Sequence, residues 1–124
     1  MKANIRKFRL SEQFILPYID KEVPWGAVGY VTFKRTYSRR LNEFSPDAEG
    51  TEEWWQTCRR VIEGMFDMQK RHVYYLGLEW NDSKAQATAK DAYDRLFNLK
   101  WTPPGRGLWM MGTKFIEERT AAGL

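Results

Sequence analysis

Apolar residues recur at helical spacing in the middle of the chain, between residues 52 and 70. They are Trp54, Trp55, Cys58, Val61, Ile62, Met65 and Phe66. Steps of three and four residues place them on one broad face of a helix. Thr51 is suited to cap this helix, with Glu52 and Glu53 in its first turn, where the helix dipole favours negative charge. The polar face carries Gln56, Arg59, Arg60, Glu63 and Asp67.

A second helical pattern covers residues 83–99. Ser83-Lys84-Ala85-Gln86 fits a capping box, in which Ser and Gln satisfy free backbone N–H groups reciprocally. One face of this helix is apolar and is formed by Ala85, Ala89, Ala92, Tyr93, Leu96 and Phe97. The small alanines allow close approach of another helix, and Gly64 on the first helix also predicts a close contact, since glycine costs a helix ~1 kcal/mol relative to alanine.

The first 50 residues give weaker signals. Ser11 is suited to cap a short helix over 12–16, and Pro17 disfavours its continuation. Residues 28–34 are rich in β-branched and aromatic side chains, which predicts a short strand. Residues 42–50 contain turn-forming residues and predict a loop. The predicted fold is mainly α with a short β element.

These patterns divide residues 1–124, a single region, into three parts. Residues 1–50 form a strand and loop entry segment, 51–100 a helical pair, and 101–124 a Pro/Gly-rich segment. The stretch 101–113 combines two prolines and three glycines with large apolar side chains. We expect it to pack against a partner domain, with a short helical or irregular segment after residue 105. If Gly105 or Gly107 needs positive φ, replacing both with valine should destabilise the fold or its docking by more than ~1 kcal/mol.

The charge pattern leaves a binding function open. The chain has 124 residues, 15% of them aromatic, and a net charge of +4, much of it in Lys34–Arg40. A solvated turn or a contact with phosphates explains such a basic segment equally well. With Tyr30, Phe33 and Tyr37 as stacking platforms, it suits a small module that binds single-stranded nucleic acid. A scaffold protein that docks through residues 109–111 is a further alternative.

The search for catalytic chemistry finds no complete constellation. The sequence has no nucleophile elbow and no phosphate-binding loop of the Walker type. Cys58, the single cysteine, lies on an apolar face and is interpreted as an inert buried thiol. His72, the single histidine, has no partners for a zinc site. Acidic pairs at 52–53 and 117–118 are typical of solvated helix ends, and the absence of a signal sequence or apolar span favours the cytoplasm.

Four blocks of sequence nevertheless resemble one enzyme family. They are Leu10–Phe14, Trp25–Arg39, Glu53–Gly64, and Thr102–Thr113 followed by Glu118-Arg119-Thr120. The pattern Gly26-Ala27-Val28-Gly29-Tyr30-Val31-Thr32-Phe33-Lys34-Arg35-Thr36-Tyr37 is the most specific. Together the blocks resemble the amino-terminal region of the monomeric, adenosylcobalamin-dependent (class II) ribonucleoside triphosphate reductases.

This resemblance implies a helical region that leads into a ten-stranded α/β barrel. In that family the barrel carries the cysteines of thiyl radical chemistry, and adenosylcobalamin initiates the reaction. The family's catalytic cysteines match no residue of this chain, so no catalytic residue is assigned to it. The implied partners are the remainder of the reductase, a nucleotide substrate and a thioredoxin-type reductant, and no membrane is implied.

Two residues are candidates for substrate contact. Thr102-Pro103 resembles a Thr-Pro motif that helps form the nucleotide pocket in related reductases. The Thr102 hydroxyl can bond to ribose or phosphate, and the Arg106 guanidinium can neutralise a phosphate. The resemblance implies that the family's first reducing cysteine would follow shortly after residue 124. A split gene, an intein or a truncation would each explain an end at this point.

Overall fold

The computed structural model describes residues 5–114 and 116, and this part is helical. Its five α-helices are α1 (Glu12–Ile19), α2 (Gly26–Thr36), α3 (Trp54–Tyr75), α4 (Asp82–Phe97) and α5 (Gly105–Met110), and a 3-10 turn covers Leu41–Glu43. The only β pairing in this part is an isolated antiparallel bridge between Arg40 and Thr51. None of the described helices is long and apolar enough to cross a membrane.

α3 and α4 form an antiparallel pair that contains most of the core. The predicted apolar faces of both helices are confirmed: Cys58, Val61 and Ile62 are fully buried, as are Tyr93 and Leu96. Polar atoms of the core aromatics also find partners across the pair. The Tyr93 hydroxyl donates to the carbonyl of Trp55 at 3.0 Å, and Trp54 Nε1 donates to the carbonyl of Phe97 at 3.0 Å.

The helix starts differ from the predicted caps. α3 begins at Trp54, with Glu53 as N-cap in a reciprocal capping box with Gln56, so the prediction of Thr51 as cap is wrong. Thr51 instead pairs with Arg40. The predicted Ser83–Gln86 capping box is also wrong. Asn81 caps α4 by accepting from the Lys84 N–H at 3.1 Å.

The strand predicted at 28–34 is wrong, because these residues belong to α2. Helical geometry brings Phe33 back beside Trp25, with ring centroids 5.3 Å apart, and sets Phe33 edge-on against Trp54, also at 5.3 Å. A strand here would find no neighbouring strand among the described residues, and its backbone groups would lack partners. The aromatic cluster and the helical hydrogen bonds therefore outweigh the β preference of the side chains.

α1 extends past Pro17 to Ile19, contrary to the predicted end near Leu16. Proline inside a helix loses one backbone hydrogen bond and crowds the carbonyl four residues earlier, so packing has to offset this cost. Continuation places Tyr18 against Tyr93 and Phe97, with ring centroids 4.8 and 5.0 Å away. Ser11 does precede the helix, but its side chain makes no capping bond.

The close contact predicted at Gly64 is confirmed, and its partner is Gly112. A Cβ on Gly64 would lie 2.6 Å from the Gly112 backbone nitrogen. Gly112 itself has φ +77, whereas Gly105 and Gly107 lack positive φ, so the condition for a backbone cost of valine at those two positions is not met. The first turn of α5 includes both of them, and the left-handed residue comes after the helix instead.

Candidate functional site

The segment 101–113 packs against α3 and α4 and is held at both of its ends. At the first end, Trp101 Nε1 donates to the carbonyl of Ala92 on α4 at 3.2 Å. At the other end, Leu108 and Thr113 are buried. The short helix α5 begins between these anchors and includes Leu108.

Arg60 forms the second anchor. Its guanidinium donates to three backbone carbonyls: Leu108 at 2.8 Å, Met111 at 2.6 Å and Trp109 at 3.3 Å. The same group makes a two-point ion pair with Glu52, at 2.8 and 3.0 Å. One planar fork thus ties α3 to the end of α5 and to Met111, the residue that follows it, using the fixed donor geometry of arginine.

Glu52 is the buried counter-ion of this network. Besides Arg60, it accepts from the backbone N–H of Arg39 at 3.0 Å and from the Thr57 hydroxyl at 2.9 Å. The prediction of Glu52 as a solvated helix-end charge is therefore wrong. A carboxylate can be buried here because its oxygens receive several hydrogen bonds and a paired cation.

The predicted polar face of α3 is also partly buried. Glu63 accepts from the Leu10 N–H at 2.9 Å, and Asp67 accepts from the Phe8 N–H at 3.1 Å. Each carboxylate also pairs with an arginine one turn away, Arg59 or Arg71. These bonds hold an extended amino-terminal segment, whose Phe8 and Leu10 side chains complete the core.

Two basic residues of the segment 34–40, Lys34 and Arg39, are engaged within the domain, whereas Arg35 and Arg40 are exposed. Lys34 Nζ lies 3.2 Å from a Glu53 carboxylate oxygen. The Arg39 guanidinium pairs with Glu43 at 2.5 Å and lies 4.5 Å from the Trp109 ring centroid. Phe33 is buried, so it cannot act as a stacking platform for bases. These contacts argue against the nucleic-acid-binding alternative.

The two predicted substrate contacts, Thr102 and Arg106, lie between the anchors and are exposed. Nothing in the described part of the chain pairs with either side chain. Gly105 packs beside Tyr37, whose hydroxyl would lie 3.1 Å from a Cβ at that position. The backbone of this segment is therefore held in place, and both candidate side chains are accessible for binding another molecule.

Cys58 is fully enclosed, and burial raises the pKa of its thiol well above the ordinary value of 9.0. A protonated, inaccessible thiol is a poor nucleophile. His72 is exposed, and the described residues contain no cluster of three or more metal-binding side chains. The acidic pair 117–118 lies outside the described residues.

Two clefts open on the surface. One, of about 410 Å³, lies over the polar face of α3 and is lined by Trp55, Arg59, Glu63 and Phe44 among others. The second, of about 640 Å³, lies between α1, α2 and the start of α3. We call the second cleft the α2 groove; its apolar lining residues include Ile19, Val23, Trp25, Ala27, Tyr30 and Val31.

Comparison with known proteins gives a consistent result. The family model described as "Ribonucleotide reductase alpha domain" matches residues 10–113. A probable adenosylcobalamin-dependent ribonucleoside-triphosphate reductase of Dictyostelium discoideum is 36% identical over 96% of this chain. The corresponding enzymes of Euglena gracilis and Lactobacillus leichmannii are 34% and 37% identical over 91% and 81% of the chain.

A solved structure shares the fold. The crystal structure of a B12-dependent (class II) ribonucleotide reductase superposes with a TM-score of 0.72 and 30% identity over 88% of this chain. The chain spans about 15% of that structure and 15% of the Dictyostelium and Euglena relatives. The similarity therefore concerns one domain of a much larger protein.

Proposed function

Because this chain belongs to the ribonucleotide reductase family, as the amino-terminal alpha domain of its adenosylcobalamin-dependent class II branch, we propose that it forms part of an enzyme that reduces ribonucleoside triphosphates to 2'-deoxyribonucleotides for DNA synthesis. The observation that carries the proposal is the family match over residues 10–113, together with the shared fold. In this proposal the domain provides structure and substrate contacts, and the remainder of the reductase provides the catalytic cysteines.

The proposed substrate contact is the segment between the Trp101 and Arg60 anchors. Thr102 would donate or accept a hydrogen bond at the ribose or a phosphate, and Arg106 would pair with a phosphate. Two features support these contacts: the backbone of the segment is fixed at both ends, and the Thr102 and Arg106 side chains are exposed. Fixing the backbone beforehand lowers the entropy lost when a substrate binds.

The described residues do not fit adenosylcobalamin. Clefts of about 410 and 640 Å³ match drug-sized ligands, and a corrin cofactor is larger than these. His72, the single histidine, lines neither cleft. We therefore assign cofactor binding to the remainder of the enzyme, along with the contact to a thioredoxin-type reductant.

The substrate contact is tested in a chimera, in which this chain replaces the matching region of the Lactobacillus leichmannii reductase. Arg106→Ala and Thr102→Val are each expected to raise KM for the ribonucleoside triphosphate about 10-fold with kcat little changed, as for lost ground-state binding. Lys100→Ala, an exposed charge in the same stretch, is the matched control. Unchanged KM in both variants would remove Thr102 and Arg106 from the site, and an inactive wild-type chimera would contradict the proposed function.

A further inference from the structure

α2 presents an apolar face away from the domain. Val28 is 81% exposed and Val31 is 53% exposed. Their spacing of three residues places them on the same side of the helix, with Ala27 beside them. Phe33, on the opposite side, is the one buried residue of α2. We call Ala27, Val28 and Val31 the α2 outer face.

This face continues into the α2 groove. Val31 and Ala27 belong to both surfaces, and the groove adds the aromatic side chains of Trp25 and Tyr30. Charged residues, among them Lys21, Glu22 and Glu53, also line the groove. A contiguous apolar surface with charged residues near it has the composition of a protein interface.

The sequence of α2 conflicts with its structure. Valine, threonine, tyrosine and phenylalanine lower helix propensity, and Gly29 adds to the cost. Inside this domain, Phe33 packs against Trp25 and Trp54, and it is the one buried residue of α2. Conflicts between local preference and fold concentrate at functional sites, and burial of the outer face would stabilise α2.

The relatives indicate what covers this surface. In the Dictyostelium, Euglena and Lactobacillus leichmannii enzymes, the region matching this chain is 13–15% of a single polypeptide. The same chain therefore supplies a large amount of protein to contact the domain. We propose that the α2 outer face and the α2 groove dock an apolar segment of the catalytic remainder of the reductase, an inference that rests on the proposed function.

A second exposed apolar cluster supplies a control. Tyr74, Tyr75, Leu76 and Leu78 are exposed at the carboxyl end of α3. They lie in and after the last turn of a helix, and neither cleft includes them. Substitutions there change exposed apolar side chains outside the proposed docking site.

The test is co-purification from cells that coexpress this chain with a tagged Lactobacillus leichmannii reductase lacking its matching region. Val28→Glu/Val31→Glu is expected to reduce the bound chain about 100-fold, since two valines lose their burial and two charges enter the interface. Val28→Ala/Val31→Ala favours the helix and removes only apolar area, so about a 10-fold loss is expected with the free domain fully folded. Leu76→Glu/Leu78→Glu is expected to bind as wild type does.

Each outcome decides a different point. Wild-type binding by both α2 double variants would overturn the docking surface and leave the proposed function standing. A loss of binding in the Leu76/Leu78 control equal to that in the α2 variants would also overturn it, because the effect would not be specific to α2. No co-purification of the wild-type chain would contradict the proposed function itself. Circular dichroism of each free variant identifies any loss of helix.

Discussion

Arg60 and Glu52 form an ion pair whose side chains are only 5% and 3% exposed. The pair lies where the start of α3, the segment after α2 and the loop after α5 meet. Through it, one residue of α3 fixes the backbone of residues 108–111, and with it one end of the segment that carries Thr102 and Arg106. Stability and the proposed substrate contact therefore depend on the same buried charges.

Arg60→Met is expected to destabilise the domain by about 3–5 kcal/mol, because it leaves the Glu52 carboxylate buried without its cation. The measurement is the free energy of unfolding from urea denaturation. Arg95→Met breaks the Arg95–Asp91 pair, whose side chains are 63% and 67% exposed, and should cost less than about 1 kcal/mol. Equal, small effects of the two substitutions would show that the buried pair contributes little.

Gly64→Ala is expected to destabilise the domain by about 1–3 kcal/mol, although alanine is the better helix former. The new Cβ would lie 2.6 Å from the Gly112 nitrogen and 2.7 Å from its Cα, and neither backbone atom can move without shifting the loop. Gly107→Ala is the control, since its Cβ would meet only Pro103 Cβ at 3.4 Å. A stabilised Gly64→Ala variant in thermal unfolding would contradict the close α3–loop contact.

Stability should depend on pH through Glu63. Burial raises the pKa of this carboxyl above its ordinary value of 4.5, and its bonds to Arg59 and Leu10 only partly offset the effect. The folded state therefore binds the Glu63 proton more tightly than the unfolded state does. As pH rises from 4.5 through the folded pKa, the contribution of Glu63 to the free energy of unfolding falls, and above the folded pKa it stays constant.

The corresponding measurement compares the free energies of unfolding of wild type and Glu63→Gln by urea denaturation at pH values from about 4 to about 8. This range begins near the unfolded carboxyl pKa of about 4.3. The stability of wild type relative to Glu63→Gln should decrease as pH rises through the lower part of this range. Glu79→Gln, which removes an exposed carboxylate, should show no such trend. A relative stability of wild type that increases with pH would show that the ion pair with Arg59 dominates instead.

The Cys58 thiol should resist alkylation in the folded domain. Its burial keeps it protonated and inaccessible, so modification requires unfolding. The rate of reaction with iodoacetamide at neutral pH should therefore rise steeply with urea, in parallel with the unfolded fraction. Rapid modification without denaturant, at the rate of a free thiol, would contradict the placement of Cys58 in the core.

The sequence predicted the parts of the fold that have strong periodicity. α3 and α4 repeat their apolar residues over more than three turns, and their inner faces were identified correctly. α2 was not, because a short apolar run is compatible with a strand or a helix, and the contact of Phe33 with Trp25 and Trp54 decides between them. Local pattern does not encode that contact.

The buried charges were missed for a related reason. Arg60, Glu63 and Asp67 lie on the predicted polar face of α3, and their burial depends on distant backbone groups of residues 8–10 and 108–111. No spacing rule connects such positions. Thr102 and Arg106 are exposed, and their proposed contacts with substrate stay predictions.

The most direct test of the central claim is reductase activity after mixing two separately purified proteins, this chain and a Lactobacillus leichmannii reductase that lacks the matching region. With adenosylcobalamin, a dithiol reductant and a ribonucleoside triphosphate present, we expect deoxyribonucleotide formation from the mixture and none from this chain alone. No activity in the mixture, with full activity restored by the native region of the Lactobacillus enzyme, would contradict the claim that this chain is a working reductase domain.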